Sequence, residues 1–253
     1  MAGADSVIED DERQMIHSVF ELGDTIAREV MVPRTEMVWI ESHKTLRQAM
    51  SLGLRSGYSR IPVVGEGIDD IVGVVYVKDI ARRVFEHQES QSTERVSDLM
   101  RPAFMVPDSR SVDELLRDMQ SARTHLAVLV DEYGGTAGLV TIEDVIEEIV
   151  GEISDEHDVL GPDVEELANG EYRVSSRLHI DDLAELLEIE ISDEGVDTVG
   201  GLMAKRLGIV PIPGATVDIE NWTLTAESTA GRRHRIDTVV ISRDTFTTED
   251  EDE

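Results

Sequence analysis

The hydrophobic and polar positions of this chain predict a succession of short helices and strands. Apolar residues at helical spacing predict a helix over 9–22, and a second helix begins at Thr45. Apolar runs at 61–64 and 71–75 have the length of buried strands, and a turn rich in glycine and aspartate separates them. A further short strand is expected over 37–40, and a helix after the second apolar run completes this set of elements.

The same order of elements then recurs. It predicts a strand at 104–106, a helix at 112–119, a strand at 126–130, a turn at 131–135, a strand at 137–140 and a helix at 141–153. Residues 73–80 correspond to 138–145, and residues 30–33 correspond to 99–102. Tandem copies of one small αβ unit usually pack face to face, and the clefts between them are natural ligand sites. The organisation therefore favours a binding or sensing role.

A third unit follows the two repeats. Its pattern predicts a strand near 172–174, helices over 180–187 and 198–207, and three later strands. The fold class is therefore α+β, with tandem αβ repeats followed by a smaller α+β C-terminal domain. The predicted divisions are an N-terminal helix (1–24), repeat 1 (25–90), repeat 2 (91–153), an acidic linker (154–168), the C-terminal domain (169–243) and an acidic tail (244–253).

The net charge limits the classes of partner that the chain can bind. A formal net charge of −31 repels nucleic-acid backbones and anionic membrane surfaces, so no nucleic-acid partner is expected. The dense basic cluster at 232–235 falls in a predicted hairpin, where charge on a solvated strand edge is a simpler explanation than a nucleic-acid patch. The chain has no cysteine, no apolar run long enough to span a membrane and no visible signal peptide, so we expect a soluble chain in a reducing compartment.

Thr141 and Asp144 lie where a predicted strand meets the N-terminus of a helix. Free backbone N–H groups and the helix dipole favour acceptor groups there, and a carboxylate can accept both hydroxyls of a ribose. The alternative is a helix-capping box, in which a Thr and an acid three residues later satisfy the backbone. The first repeat has Tyr76 in place of the threonine but keeps Asp79, which is unexpected if the acid serves only as a cap.

A second element lies in the first repeat at 56–63. Gly57 permits a tight bend, Tyr58 offers a face to a purine, and the Arg60 guanidinium can form paired hydrogen bonds with phosphate oxygens. Pro62 removes a backbone donor, which suits a strand edge that meets a ligand. The corresponding stretch of the second repeat has neither arginine nor proline, so we expect one equipped cleft and one degraded cleft.

With these motifs the chain resembles the cytosolic part of the CorC/CNNM (hemolysin-C-like) group of magnesium and cobalt transporters. That group has paired cystathionine-β-synthase-type (CBS) repeats, also called a Bateman module, followed by a transporter-associated domain. The resemblance covers residues 8–243, and it rests on the stretches 30–34, 57–62, 131–135, 138–144, 149–153 and 196–202.

The resemblance implies that the CBS pair binds ATP, with Mg²⁺ as the nucleotide counter-ion, and that two pairs form a homodimer. It implies that Thr141 and Asp144 hold the ribose, that Tyr58 lies near the base and that Arg60 meets the phosphates. The backbone around Val32 would line the site, although some relatives have a hydroxyl residue there. Tyr76 also departs from the usual Ser or Thr, which argues against a second competent site. The implied nucleotide-binding set is Val32, Tyr58, Ser59, Arg60, Ile61, Pro62, Thr141 and Asp144.

We therefore expect a regulatory ATP-binding module that biases a transmembrane divalent-cation transport domain, joined in cis or acting in trans, at the cytosolic face of the cell membrane. No catalytic constellation stands out, so an enzyme is not expected. The alternative is a stand-alone acidic module that binds proteins or Mg²⁺ without nucleotide. For Mg²⁺ the candidates are Glu147, Glu148, Glu152, Asp155, Glu156 and Asp158, and His157 among them could suit a transition metal, although a solvated acidic face is the simpler explanation.

Overall fold

The structure is a computed structural model, and it describes residues 10–151, 162–191, 195–230 and 235–243. The chain divides into two compact units, the first made mainly of residues before 155 and the second mainly of residues after it. Within the described residues, no helix combines the length and the hydropathy needed to cross a bilayer.

The first repeat has the predicted order of elements. Helix α1 (Asp10–Glu21) precedes it, and the repeat contains α2 (Ala27–Val30), β1 (Val32–Pro33), β2 (Ile40–Glu41), α3 (Leu46–Ser56), β3 (Arg60–Val64), β4 (Ile71–Tyr76) and α4 (Val77–Glu86), with α5 (Ser90–Thr93) after it. The strand expected over 37–40 is confirmed only at Ile40, because a short 3-10 turn at Arg34–Glu36 precedes Met37. Met37 is nonetheless buried, so its hydrophobicity reflects packing and not strand pairing.

The second repeat copies the first. It contains β5 (Met105–Pro107), α6 (Val112–Ala122), β6 (Leu126–Val130), β7 (Thr136–Thr141) and α7 (Ile142–Val150). Each repeat has a parallel pair followed by an antiparallel hairpin, β2–β3–β4 in one and β5–β6–β7 in the other. Even the irregularity recurs, since the register shifts once near the end of β3 and once near the end of β6.

The two repeats exchange their leading strands. β1 lies at the start of the first repeat but pairs antiparallel with β7 of the second, with Val32 opposite Leu139. Conversely, Arg101 lies near the start of the second repeat but forms an antiparallel bridge with Val74 on β4 of the first. A glycine permits each close approach: a Cβ on Gly138 would stand 2.3 Å from the carbonyl oxygen of Val32, and a Cβ on Gly73 would stand 2.7 Å from that of Arg101. The crossed strands bind the two repeats into one unit.

Each repeat has its own aliphatic core, and a third cluster joins them. Leu46, Ile61 and Ile80 are fully buried in the first repeat, and Leu115 and Leu129 are fully buried in the second. The shared cluster, which we call the inter-repeat cluster, draws residues from both repeats: Met37, Val64, Ile71, Val74, Leu126, Val128 and Leu139, with Val32, Trp39, Tyr76 and Ala103 packed against them. This cluster places the ends of β3, β4, β6 and β7 in one region of the unit.

Helix α1 departs from the burial that its pattern suggested. The apolar residues expected to face the core were Ile16, Val19, Phe20 and Leu22. Leu22, which follows the helix, is buried, whereas Ile16, Val19 and Phe20 are exposed, Phe20 at 78%. The periodicity identified the helix correctly, but most of its apolar side chains face solvent.

The second unit is a five-stranded antiparallel sheet with two helices. Its elements are β8 (Val164–Glu166), β9 (Tyr172–Ser175), α8 (Ile180–Leu187), α9 (Val199–Leu207), β10 (Thr216–Ile219), β11 (Trp222–Ala230) and β12 (Arg235–Arg243), in the strand order β10-β11-β12-β9-β8. Its core is apolar, with Leu183, Leu202, Met203, Leu224 and Ile241 fully buried.

Two parts of the second unit bear on the sequence-based expectations. The interval expected as an acidic linker, 154–168, lies partly outside the described residues, and its described end contains strand β8. The basic cluster falls mostly outside them too, as does the acidic tail from 244 on.

On the sheet, Arg173 donates to Glu227 and Glu165, and this pairing holds the pKa of Glu227 below its ordinary value. The ion cluster thereby ties β8, β9 and β11 together.

Candidate functional site

The two clefts expected from the repeat are named here after their acidic residues. The Asp144 cleft is formed by Thr141 and Asp144 at the start of α7, with β1 beside β7. The Asp79 cleft is formed by the equivalent Tyr76 and Asp79 at the start of α4, with Arg101 beside β4. Both lie at the ends of the hairpins that the inter-repeat cluster brings together.

Thr141 and Asp144 form the capping box that the sequence offered as the alternative. The backbone N–H and the hydroxyl of Thr141 both donate to Oδ2 of Asp144, each at 2.7 Å, and the Asp144 N–H donates back to the hydroxyl at 3.3 Å. Asp144 is 8% exposed. Both hydrogen bonds of the cap to the carboxylate end on Oδ2, so the cap leaves Oδ1 available to a hydroxyl-bearing ligand.

Arg60 begins β3 directly opposite Tyr76, and its guanidinium lies 5.8 Å from the centroid of that ring. The Nε of Arg60 is buried and has no hydrogen-bond partner, a condition found at no other buried side-chain nitrogen or oxygen of the described residues. A buried donor left unpaired costs roughly 1–3 kcal/mol. The residue is therefore held in a position that an anionic ligand would satisfy.

The neighbours of Arg60 have different surroundings. Tyr58 is half-buried and packs against the core of the first repeat, whereas Ser59 is exposed and its carbonyl accepts the Val77 N–H at the start of α4. The side chains of Ile61 and Pro62 are buried, Ile61 completely. Ile61 can therefore contact a ligand only through its backbone, whereas the side chains of Tyr58 and Ser59 are accessible to one. Gly57 has φ of +76°, which confirms the bend expected before them.

Val32 connects the leading strand to the Asp144 cleft. It pairs with Leu139, two residues before Thr141, and it packs against the inter-repeat cluster. Leu126 pairs with Thr141 and belongs to the same cluster, as Tyr76 does from the first repeat. The structure thus places Val32 and Thr141 on the paired strands β1 and β7, whereas Arg60 pairs with Tyr76 within the first repeat.

Sequence reasoning missed Arg101. Its Nε donates to Oδ2 of Asp79 at 3.0 Å, a second guanidinium nitrogen makes a shorter contact with the same oxygen, and its Cζ lies 4.4 Å from the centroid of the Tyr76 ring. Asp79 is therefore retained as the partner of an arginine and not as a cap, since Tyr76 makes no side-chain cap bond. The signal was present in the repeat alignment, which places Arg101 at the position of Val32.

The described residues offer no obvious metal centre. No group of three or more His, Asp or Glu side chains in the described ranges is arranged to hold a metal ion. Of the acidic candidates, Glu147 and Glu148 lie on α7, whereas Glu152, Asp155, Glu156, His157 and Asp158 lie outside the described residues. A surface depression of about 570 Å³ in the second unit is lined by Glu185, Glu188, Glu190 and Glu220 together with Ala184 and Ile189. Its carboxylates would repel a phosphate group.

Comparison with known families assigns each unit. Residues 27–86 and 96–151 match the CBS domain family, and residues 165–245 match the transporter associated domain of the CorC/HlyC proteins. The expected α+β fold, tandem CBS repeats followed by this smaller domain, is thereby confirmed.

Curated relatives extend over nearly the whole chain. The UPF0053 protein Rv2366c of Mycobacterium tuberculosis is 57% identical over 240 residues, which are 93% of this chain and 55% of that protein. The magnesium and cobalt efflux protein CorC of Escherichia coli K12 is 36% identical over 233 residues, covering 92% of this chain and 79% of that protein. The chain thus spans about half the length of its mycobacterial relative.

Solved structures agree with these matches. The CBS domain of a bacterial CNNM/CorC family Mg²⁺ transporter is 45% identical with a TM-score of 0.56, covering 58% of this chain and 88% of that one. The CBS domain of the same description in complex with ATP is 46% identical with a TM-score of 0.53, covering 56% and 99%. Because its CBS pair, its C-terminal domain and its likeness to CorC over 92% of its length all agree, this chain belongs to the CorC/CNNM family.

Proposed function

We propose that the CBS pair is a regulatory nucleotide-binding module, which takes ATP with Mg²⁺ as counter-ion at the Asp144 cleft. The observation that carries the proposal is the buried, unpartnered Nε of Arg60 beside Tyr76, which itself packs against the inter-repeat cluster, since an arginine nitrogen left without a hydrogen-bond partner suits a phosphate. An ATP complex exists for a related CBS domain at 46% identity, and that likeness supports the same ligand class here.

Different residues would contact different parts of the nucleotide. Oδ1 of Asp144 would accept hydrogen bonds from the ribose hydroxyls, while Thr141 holds the carboxylate in place through Oδ2. Val32 and Tyr58 would offer apolar surface to the base, and Arg60 would donate to the phosphates with support from the backbone of Ser59, Ile61 and Pro62. Mg²⁺ would bind through the phosphate oxygens, because hard divalent cations prefer oxygen ligands.

The module would act on a transmembrane domain that moves divalent cations, either in the same polypeptide or as a separate chain, from the cytosolic face of the membrane. A relative 36% identical is named as a magnesium and cobalt efflux protein, which supports this substrate class. ATP would bind one arrangement of the CBS pairs better than another and shift the population between them. The sensing role does not require the module to hydrolyse the nucleotide.

The module would work as a homodimer through its CBS pairs. The final helix of each repeat carries an exposed apolar side chain at the same repeat position, Phe85 on α4 at 92% and Val150 on α7 at 38%. Ile146 on α7 is also exposed, at 40%. A second copy would cover these side chains in a two-fold contact. The oligomeric state of the wild type and of Phe85→Ser, measured by sedimentation, tests the proposed homodimer. A monomeric wild type would contradict it.

Thermal unfolding separates nucleotide sensing from the alternative of a stand-alone acidic protein- or Mg²⁺-binding module. ATP with Mg²⁺ at about 100 times its Kd stabilises the bound state by roughly 2.7 kcal/mol. For a domain of this size that corresponds to a rise in Tm of about 5–10 °C. Asp144→Ala should abolish the rise, whereas Asp79→Ala, at the equivalent position of the other repeat, should retain it.

The comparison is made within each variant, because Asp144→Ala also removes a cap and lowers the starting Tm. A rise with Mg²⁺ alone that is the same in all three proteins would favour the stand-alone acidic module. No rise with ATP in the wild type would refute the proposed function.

A further inference from the structure

Three cationic side chains surround the ring of Tyr76 at the end of β4. The guanidinium of Arg101 lies 4.4 Å from the ring centroid, the ammonium of Lys78 lies 5.7 Å from it and the guanidinium of Arg60 5.8 Å. Arg60 is the strand partner of Tyr76 on β3, and Lys78 lies in the first turn of α4. Arg101 lies on the segment that forms a bridge with Val74 of β4. We call Arg60, Lys78 and Arg101 the Tyr76 cation cluster.

The cluster carries more positive charge than its surroundings neutralise. Arg101 pairs with Oδ2 of Asp79, whereas neither Lys78 nor Arg60 forms an ion pair with any residue that the structure describes. The Nε of Arg60 is also buried without a hydrogen-bond partner. This occurs in a chain with 54 acidic residues and a net charge of −31. Because like charges held around one ring repel each other, an anion bound between them would relieve the repulsion and supply the missing acceptor.

The cluster is accessible to such an anion. Lys78 is exposed, the Arg101 side chain is 52% exposed, and Arg60 and Tyr76 are half-buried. A guanidinium forms paired hydrogen bonds with phosphate oxygens, and an ammonium adds a compact charge with three donors. A phosphate group offers several acceptor oxygens and more than one negative charge, so it matches the cluster better than a single carboxylate does.

The second repeat lacks these cations at the equivalent positions. By hairpin register Arg60 corresponds to Leu126, because each is the strand partner of the residue that ends the hairpin. The residue two positions after that end is Lys78 in the first repeat and Glu143 in the second. The cationic character is therefore specific to the first repeat and does not follow from the shared fold.

The cation cluster and the ribose candidate both lie next to the inter-repeat cluster. Tyr76 packs against that cluster, and Leu126, the strand partner of Thr141, belongs to it. The carboxylate suited to ribose hydroxyls, Asp144, thus comes from one repeat, and the donors suited to phosphates come mainly from the other.

We propose that the Tyr76 cation cluster is a phosphate site. This inference rests on the proposed function, because it adds Lys78 and Arg101 to the groups that recognise the ligand of the same module. Two sources supply this chemistry: the terminal phosphates of a nucleotide held by Asp144, and free phosphate. In the first case the module prefers ATP to AMP, because AMP lacks the phosphates that the cluster binds.

Calorimetry measures the Kd values of ATP, AMP and pyrophosphate in one buffer that contains Mg²⁺. Lys78→Gln removes an exposed cation, so the variant should fold like the wild type, and its Kd for pyrophosphate should be about tenfold weaker. Arg82→Gln, which removes an exposed cation one turn further along α4, is the matched control and should leave that Kd unchanged. Arg101→Gln should weaken binding further, because it also leaves the Asp79 carboxylate without its partner.

Competition separates the two sources. If the cluster binds the end of the nucleotide, the wild type binds ATP about tenfold or more tightly than AMP, and Lys78→Gln loses most of that preference. ATP then displaces pyrophosphate, whereas AMP does not. If the cluster binds free phosphate, ATP and AMP have equal Kd values and neither displaces pyrophosphate.

The proposal is overturned if folded Lys78→Gln and Arg101→Gln both keep the wild-type Kd for pyrophosphate and the wild-type ratio of ATP to AMP affinity. That result leaves the proposed function intact, since the nucleotide still binds. A wild type that binds neither ATP nor AMP refutes the proposed function instead, and the pyrophosphate measurements then decide by themselves whether the cluster is a phosphate site.

Discussion

Replacing Arg60 by leucine should weaken nucleotide binding without destabilising the free protein. Leucine is the residue that the second repeat carries at the equivalent position, Leu126, so the strand accepts it. Removing the buried unpaired Nε recovers about 1–3 kcal/mol, and losing the contact with the Tyr76 ring costs about 0.5–1 kcal/mol. The net change in the free energy of unfolding is therefore between about 0 and 2.5 kcal/mol in favour of the variant.

Binding should change in the opposite direction. A charge-assisted hydrogen bond to phosphate contributes about 1.5–3 kcal/mol, which corresponds to a Kd for ATP about 10 to 150 times weaker. Urea unfolding of the free protein and calorimetry with ATP and Mg²⁺ measure the two effects separately. Arg47→Leu, which removes an exposed arginine of α3, is the control and should leave the Kd unchanged. The reasoning is refuted if Arg60→Leu destabilises the free protein by more than about 1 kcal/mol, or if its Kd equals that of the wild type.

Two further perturbations test the fold around the site and the second unit. Gly138→Ala places a Cβ 2.3 Å from the Val32 carbonyl oxygen and should destabilise the protein by about 1–3 kcal/mol in urea, whereas Gly67→Ala meets nothing within 4 Å and should be silent. Because Arg173 lowers the pKa of Glu227 in the folded state, the stability from this pair is present above the ordinary glutamate value of about 4.3 and is lost as pH falls through the lower folded value. Thermal unfolding between pH 7 and 3 should therefore depend less steeply on pH in Glu227→Gln, and equal slopes in the two proteins would contradict this.

Much of the architecture followed from the sequence because local periodicity reports local burial. Strands β3, β4, β6 and β7 are wholly or largely apolar runs of strand length, and their repetition at a fixed offset predicted the tandem organisation. The capping box at Thr141 could be recognised in the sequence because its partner, Asp144, is only three positions away. These features require no knowledge of which distant segments meet.

The features that were missed depend on such distant contacts. Arg101 and Asp79 are 22 residues apart, and their ion pair exists because a leading strand crosses to the other repeat. Strand β8 is acidic and exposed, so nothing in its hydrophobicity distinguishes it from a linker, and only pairing with β9 makes it a strand. Whether the eight residues of the nucleotide set meet one ligand stays a prediction, to which Arg60 and Asp144 give the firmest structural support.

The exchange of leading strands has a consequence for dissecting this protein. A fragment ending near residue 90 would retain β1 but lack β7, and a fragment starting near residue 103 would retain β7 but lack β1. Each half would then expose an unpaired strand edge that another molecule could complete, so isolated halves should associate through these edges. The smallest portion that folds on its own is therefore the pair, and single-repeat truncations would report on intermolecular association instead of on either cleft.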